Sequence, residues 1–134
     1  MPGQAVFSWP VRVYYEDTDA GGVVYHANYL RYLERARTEW LRSHGVMQSE
    51  LSRDRGIVFA VASIDIRFIA PARLDDALVA TCVLDQRRAA SMRFTQQLLR
   101  ASDNATLIQA RVRAACLDAA SFRPLPIPDD LILE

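Results

Sequence analysis

The chain has 134 residues, 51% of them apolar and 24% charged, which is typical of one globular domain spanning residues 1–134. Its 16 basic residues, all of them arginine, balance 16 acidic residues, so it lacks the basic excess that nucleic-acid binding usually requires. The absence of lysine excludes a lysine Schiff base. The sequence also has no run of about 18 apolar residues, the pattern that would predict a membrane span.

The N-terminal part of the chain is predicted to form a strand followed by a loop. Residues 7–15 (FSWPVRVYY) are rich in aromatic and β-branched side chains, a composition that favours a strand. Residues 16–28 (EDTDAGGVVYHAN) are dense in small and turn-forming types, which predicts a loop.

One long helix is predicted over residues 29–44. Its apolar residues recur at spacings of three and four and form a single stripe, consisting of Tyr29, Tyr32, Leu33, Ala36 and Trp40. Asn28 is the expected N-cap residue, and Gly45 is expected just beyond the C-terminal end.

A short helical turn at residues 48–55 and four strands are predicted to follow the long helix. Apolar and charged residues alternate over residues 64–68, the period of a half-buried strand. The four strand segments are residues 57–70, 77–87, 91–101 and 105–118. The tail, residues 119–134, has three of the six prolines, so we expect it to be extended or loosely docked.

The order of these elements predicts the fold class. A strand, a loop and a helix precede four strands, and the breaks between the last three strands are short enough for hairpins. A single helix cannot cover its own apolar stripe, but an antiparallel sheet can curl around it. We therefore expect an α+β fold in which a five-stranded antiparallel sheet wraps around one long helix.

Residues 11–42, VRVYYEDTDAGGVVYHANYLRYLERARTEWLR, resemble the signature of the Tol–Pal-associated acyl-CoA thioesterases of the 4-hydroxybenzoyl-CoA thioesterase family. The resemblance continues through APARLDD at residues 70–76 and FTQ at residues 94–96, and it reaches to about residue 118. It implies the hotdog fold, a homodimer or homotetramer, and an active site at the subunit interface. The implied activity is hydrolysis of short-chain or aromatic acyl-CoA thioesters without a cofactor, with acyl carrier protein as an alternative thioester donor.

The loop supplies the candidate catalytic groups. The chain has no Gly-x-Ser-x-Gly elbow, so a carboxylate is the natural group to activate water or to attack the thioester. From the residues alone, Glu16, Asp17 and Asp19 are equally compatible with a solvated acidic turn. The resemblance places the role of base or nucleophile on Asp19. It adds His26, which would orient water or protonate the leaving thiolate, and Tyr15, which would bind the carboxylate or the substrate.

Other groups are candidates for supporting or rival roles. Main-chain N–H groups of residues 24–28, at the start of the helix, are suited to stabilise an oxyanion. Glu34 and Glu39 are rival carboxylates, but both lie opposite the apolar stripe and are expected at the surface. Arg87 and Arg88, at an expected hairpin end, are candidates to bind the phosphates of coenzyme A, although paired arginines at a turn are more often simply solvated.

Neither a metal nor a disulfide is expected. The acidic residues and histidines lack the usual metal-ligand spacings, and Cys82 and Cys116 are expected to be free, buried thiols of a reducing compartment. The start MPGQAVFSWP has no signal-peptide pattern, which favours the cytoplasm.

Two alternative functions remain open at this point. One is a hotdog dehydratase acting on acyl carrier protein, but such enzymes carry His-Phe-Pro-Gly where this chain has His26-Ala27-Asn28. The other is a non-catalytic acyl-CoA-binding or scaffold protein linked to envelope or phospholipid machinery.

Overall fold

The computed structural model describes residues 6–131 and residue 133. Residues 1–5 of the predicted domain, and residues 132 and 134 of the predicted tail, lie outside the described part. The elements are β1 (Phe7–Arg12), 3-10 turns at Tyr15–Asp17 and His26–Asn28, α1 (Tyr29–Ser43), α2 (Gln48–Arg55), β2 (Ile57–Phe68), β3 (Ala77–Arg87), β4 (Ser91–Arg100) and β5 (Thr106–Asp118). The predicted helix, helical turn and four later strands are thus confirmed.

All five strands join one antiparallel sheet in the order β1-β3-β4-β5-β2. The helix α1 packs against β1, β3 and β4 on one face of this sheet. The predicted α+β architecture, a sheet around one long helix, is therefore confirmed. The first strand is shorter than predicted, because the chain turns into a 3-10 segment at Tyr15.

The predicted apolar stripe of α1 is the face that enters the core. All five of its residues are buried, with exposed fractions of 0 to 4%. Gly45 has a φ of 79°, so its place just after the helix end is confirmed, since few other residues adopt this conformation without strain.

Asn28 lies at the N-cap position of α1, as predicted, but its side chain does not cap the helix. Its backbone is already helical (φ −72°, ψ −22°) because a 3-10 turn leads directly into α1, and its side chain makes no capping hydrogen bond. The Asn28 amide instead donates a hydrogen bond to Asp17.

The strand β2 is a long edge of the sheet. It pairs only with β5 along its twelve residues, which leaves its other side unpaired in the single chain. Apolar and charged residues alternate over residues 64–68 of β2, but not all of the apolar side chains are buried. Ile64 is 36% and Phe68 is 51% exposed. An edge of this length is a surface that proteins normally cover.

The tail runs back over the end of the sheet. Ile127 is buried, and its main-chain N–H donates to the Ala89 carbonyl at 2.7 Å. Arg87 donates two hydrogen bonds to tail carbonyls, of Leu131 at 3.1 Å and of Pro128 at 3.3 Å. Residue 133 is also buried. The described tail residues are thus bound at several points.

Candidate active site in the loop before the long helix

The acidic loop is closed on itself by main-chain hydrogen bonds. Thr18 and Val24 form an antiparallel bridge, and the Asp19 N–H donates to the Val23 carbonyl at 2.9 Å. The turn between them passes through Gly22, whose φ of 78° disfavours any side chain. A further bond, from Val24 N–H to the Ala72 carbonyl at 2.9 Å, ties the loop to the segment before β3.

Asp17 is the buried carboxylate of the loop. It is 8% exposed, and each of its oxygens accepts a hydrogen bond. Oδ2 accepts from the Tyr14 N–H at 2.8 Å, and Oδ1 accepts from the Asn28 amide at 2.8 Å. Asp17 therefore joins the start of the loop to the start of α1 and has little capacity left for a substrate.

Hydrogen bonding keeps the Asp17 carboxyl ionised despite its burial. Burial alone would raise the pKa of Asp17, but the Tyr14 N–H, the Tyr32 hydroxyl, the Asn28 amide and the charge of Arg35 lower the pKa below its ordinary value. Burial and the negative charge of Asp17 raise the pKa of the Tyr32 hydroxyl. That hydroxyl is buried.

Asp19 differs from Asp17 in exposure and in free bonding capacity. It is exposed, and its one side-chain hydrogen bond is accepted by Oδ1 from the Gly21 N–H at 2.8 Å. A Cβ at position 21 would lie 3.2 Å from that oxygen, so a glycine suits this approach. Glu16 is exposed and makes no side-chain hydrogen bond within the described chain. One oxygen of the Asp19 carboxylate, Oδ1, is thus fixed by a hydrogen bond, and the other is free to contact a substrate or a water molecule.

The start of the helical region provides unpaired main-chain donors. The N–H groups of Val24, Tyr25 and Asn28 donate to carbonyls, whereas those of His26 and Ala27 find no acceptor in the described residues. The His26 side chain is exposed, and its ring centroid lies 4.5 Å from that of Tyr25. Because α1 follows directly, the two free N–H groups lie at the positive end of its dipole.

The remaining predicted site residues are not all close to the loop in one chain. Tyr15 is 82% exposed and lies four residues before Asp19. Arg87 and Arg88 lie at the opposite end of β3 from Ala77, which pairs with the end of β1 just before the loop. The eleven residues of β3 make ten steps of about 3.3 Å, which separate the two ends by about 30 Å.

The rival carboxylates on α1 have surface environments. Glu34 is exposed, and the partly exposed Glu39 accepts a hydrogen bond from Arg42. The sequence analysis also missed one buried charge on this helix, Arg37. Arg37 lies four residues after Leu33 and four before Leu41, and both leucines are buried. Residues four apart lie on the same face of a helix, so this spacing could have predicted that Arg37 is buried.

The described residues contain no group of three His, Cys, Asp or Glu side chains arranged to hold a metal ion. No helix within residues 6–131 has the length and apolar character needed to cross a bilayer.

Comparison with known proteins gives a consistent family likeness. The family model of the thioesterase-like superfamily matches residues 13–133. The chain is 45% identical over 129 residues to the acyl-CoA thioester hydrolase YbgC of Escherichia coli O6:H1, covering 96% of this chain and 95% of that one. It is 42% identical over 125 residues to the acyl-CoA thioesterase YbgC of Haemophilus influenzae, covering 93% and 90%.

Solved structures share the fold over nearly the whole chain. A probable thioesterase from Bartonella henselae has a TM-score of 0.87 at 32% identity. The matched region covers 92% of this chain and 100% of that one. A mutant 4-hydroxybenzoyl-CoA thioesterase in complex with 4-hydroxybenzoyl-CoA has the same TM-score at 21% identity, with 94% and 95% covered. These likenesses confirm the hotdog thioesterase fold.

Proposed function

The chain belongs to the thioesterase-like superfamily and is an acyl-CoA thioester hydrolase, and from this premise we propose that Asp19 is its catalytic carboxylate. The observation that carries the proposal is the contrast between two neighbouring aspartates. Both oxygens of Asp17 are occupied in a buried position, whereas Asp19 is exposed and keeps one oxygen free.

The free main-chain donors at the helix start provide the second half of the reaction centre. In the proposed reaction, water or the Asp19 carboxylate attacks the thioester carbonyl carbon, and negative charge develops on its oxygen. We assign the N–H groups of His26 and Ala27 to receive that charge, because neither donates to a carbonyl of the described chain. Collapse of the tetrahedral intermediate breaks the C–S bond, and the thiolate takes a proton to leave as free coenzyme A.

Asp19 has two chemically distinct routes. As a general base it removes a proton from the attacking water, and the acid is released directly. As a nucleophile it forms a mixed anhydride that water must then hydrolyse. We assign His26 to orient the water or protonate the leaving thiolate. We assign Tyr15, whose exposed hydroxyl makes no hydrogen bond with a described residue, to bind the substrate or the carboxylate.

Coenzyme A binding at Arg87 and Arg88 requires a second subunit. Within one chain these arginines lie about 30 Å from the β3 end nearest the loop, so the phosphates they bind would belong to a substrate at a neighbouring loop. The Arg87 guanidinium already donates to two tail carbonyls, which leaves Arg88 as the freer of the two cations.

We propose that the working unit is a homodimer formed through β2, or a homotetramer of two such dimers. The support is the long unpaired edge of β2 together with its exposed apolar side chains, which include Val61 at 45% and Phe68 at 51%. Pairing two such edges would satisfy the free main-chain groups of both copies and produce one continuous sheet.

The proposed substrates are short-chain or aromatic acyl-CoA thioesters, with acyl carrier protein as an alternative donor. A cytoplasmic location is compatible with the two free, buried thiols, Cys82 and Cys116. A physical link to the Tol–Pal envelope system stays a prediction, as does the non-catalytic scaffold role that competes with hydrolysis.

Release of free thiol from a panel of acyl thioesters tests this function. The purified protein should release thiol from butyryl-CoA and 4-hydroxybenzoyl-CoA, and faster than from palmitoyl-CoA. The same acyl groups on acyl carrier protein measure the alternative donor. Thiol release that is indistinguishable from the buffer rate for every thioester, at a concentration where acyl-CoA binds, would favour the scaffold role instead.

A further inference from the structure

A groove of about 450 Å³ lies on the face of the sheet that α1 does not cover. The direction of its side chains follows from the strand β4. Gln96 points toward α1, because its side-chain amide donates a hydrogen bond to the Leu33 carbonyl at 3.0 Å. Successive side chains of a strand point to opposite faces, so the neighbouring Thr95 and Gln97, which line the groove, lie on the outer face.

Two rows of three polar side chains line this outer groove, with one side chain of each row on β2, one on β5 and one on β4. In strand register the first row consists of Arg67, Gln109 and Gln97, and the second consists of Asp65, Arg111 and Thr95. Arg67 and Arg111 are therefore diagonal neighbours on adjacent strands. Such neighbours are about 7 to 8 Å apart, a separation that long side chains can bridge. The two guanidinium groups can thus reach one ligand.

Arg67 and Arg111 have no anionic partner within the described chain. Both are exposed, and neither forms an ion pair or a side-chain hydrogen bond with a described residue. Asp65 is opposite Arg111 in the register but beyond ion-pair distance. Arg93, on the same face, is by contrast paired with Asp85 at 2.9 Å. Two arginines and one aspartate leave the groove with one net positive charge.

The other groups of the groove are mainly acceptors for hydroxyl hydrogens. The side-chain amides of Gln97 and Gln109 form no hydrogen bond with a described residue, and each offers a carbonyl oxygen. The Asp65 carboxylate can only accept, and the Thr95 hydroxyl already donates its hydrogen to a neighbouring aspartate. Ala110, the one apolar residue along the groove, is buried in the core. The groove therefore offers no surface to a hydrocarbon ligand.

We propose that this outer groove binds a small phosphate ester that carries free hydroxyl groups, such as a sugar phosphate. The phosphate lies between Arg67 and Arg111, because guanidinium groups bind phosphate oxygens through paired, charge-assisted hydrogen bonds. The hydroxyl groups donate to Asp65 and to the two glutamine side chains. A ligand with negative charge at every position is disfavoured, because Asp65 would repel its second charge.

The groove is separate from the proposed reaction centre. The helix α1, whose start carries the free oxyanion donors, packs against the opposite face of the sheet. Pairing of two β2 edges would extend the sheet in its own plane and would leave this outer face open. The inference therefore goes beyond the proposed hydrolysis, and a phosphate ester bound here is not the reacting thioester.

Titration calorimetry of the full chain in a phosphate-free chloride buffer tests the binding directly. We expect ribose 5-phosphate to bind at least about threefold more tightly than inorganic phosphate, because its hydroxyl groups add hydrogen bonds. Ribose should show no binding, because it lacks the charge. Adenosine 3′,5′-bisphosphate, which represents the nucleotide end of coenzyme A, should bind no more tightly than ribose 5-phosphate, because the groove has no apolar wall for adenine.

Matched variants of exposed residues locate the site. Arg111→Gln should weaken binding of ribose 5-phosphate by at least about tenfold, because it removes a charged hydrogen-bond donor. Arg123→Gln, the same change at an exposed residue beyond β5, should leave the affinity unchanged. Asp65→Asn should tighten binding of inorganic phosphate by about threefold, because it removes a nearby like charge. Thermal melts check that each variant is folded, and Arg111→Gln should release thiol at the wild-type rate.

Four results would overturn the inference. Absence of ribose 5-phosphate binding to the wild type would show that the outer face is covered, for example by a second dimer, or is simply solvated. Equal affinities for the ester and for inorganic phosphate would reduce the groove to a nonspecific anion patch. Undiminished binding in Arg111→Gln would place the ligand elsewhere. A raised KM for acyl-CoA in Arg111→Gln would assign the groove to the nucleotide end of the substrate instead.

Discussion

Two aspartates separated by one residue should have opposite phenotypes when each is changed to asparagine. Asp19→Asn removes the proposed catalytic carboxylate but keeps an oxygen to accept the Gly21 N–H, so the fold should be unaffected. Asp17→Asn replaces one of two buried, hydrogen-bonded oxygens by an amino group. The first change should therefore affect catalysis, and the second should affect stability.

The size of the Asp17 effect follows from its two contacts. An asparagine can keep one acceptor, but its amino group must then face a donor, either the Tyr14 N–H or the Asn28 amide. Loss of one hydrogen bond to a buried charge costs about 1.5 to 3 kcal/mol. For a chain of this length we expect Tm to fall by roughly 4 to 12 °C. The kcat of Asp17→Asn, measured well below its Tm, should stay within about tenfold of wild type.

The size of the Asp19 effect follows from its proposed role. Loss of a general base or nucleophile should lower kcat by roughly a hundredfold or more. The Tm should shift by no more than about 2 °C, since exposed substitutions usually change stability by less than about 0.5 kcal/mol. Asp129→Asn, at an exposed tail residue, is the control that should be neutral in both assays.

Thermal melts and thiol release measured on the same preparations decide between these outcomes. The pH dependence of unfolding adds a second readout for Asp17.

Folding lowers the pKa of Asp17. The contribution of Asp17 to the free energy of unfolding is therefore fully present above about pH 4 and is lost as pH falls through the pKa of the folded state. The stability gap between wild type and Asp17→Asn should therefore narrow between pH 7 and pH 3. A stable, inactive Asp17→Asn beside an active Asp19→Asn would refute the assignment.

Further predictions concern the other site residues and the assembly. His26→Gln should lower kcat more than it changes KM, as measured by thiol release, if the imidazole acts on water or on the thiolate. Arg88→Ala should raise KM for acyl-CoA with little change in Tm, whereas Arg87→Ala should lower Tm through loss of its two tail contacts. Ile64→Lys on the exposed edge of β2 should shift the sedimentation coefficient toward that of a monomer at micromolar concentration. A chelator should leave the rate of thiol release unchanged, and loss of activity that one added metal restores would contradict the metal-free mechanism.

The sequence by itself determined the elements, because local periodicity encodes them. The stripe from Tyr29 to Trp40 predicted α1 to within one residue of its end, and turn-forming breaks separated the four later strands correctly. The loop motif also carried the family likeness, since it is a contiguous run of residues. None of these inferences needed a contact between distant parts of the chain.

Tertiary structure alone decided the hydrogen-bond partners and the burial of the polar side chains. Composition alone does not distinguish Asp17 from Asp19, and the contact that buries Asp17 forms only when Asn28, eleven residues later, is brought against it. Arg37 meets Gln96 across 59 residues of sequence, so its buried position depends on how helix and sheet pack. Local patterns specify which face of an element is apolar, but hydrogen-bond partners and the desolvation of a charge exist only once those faces have met.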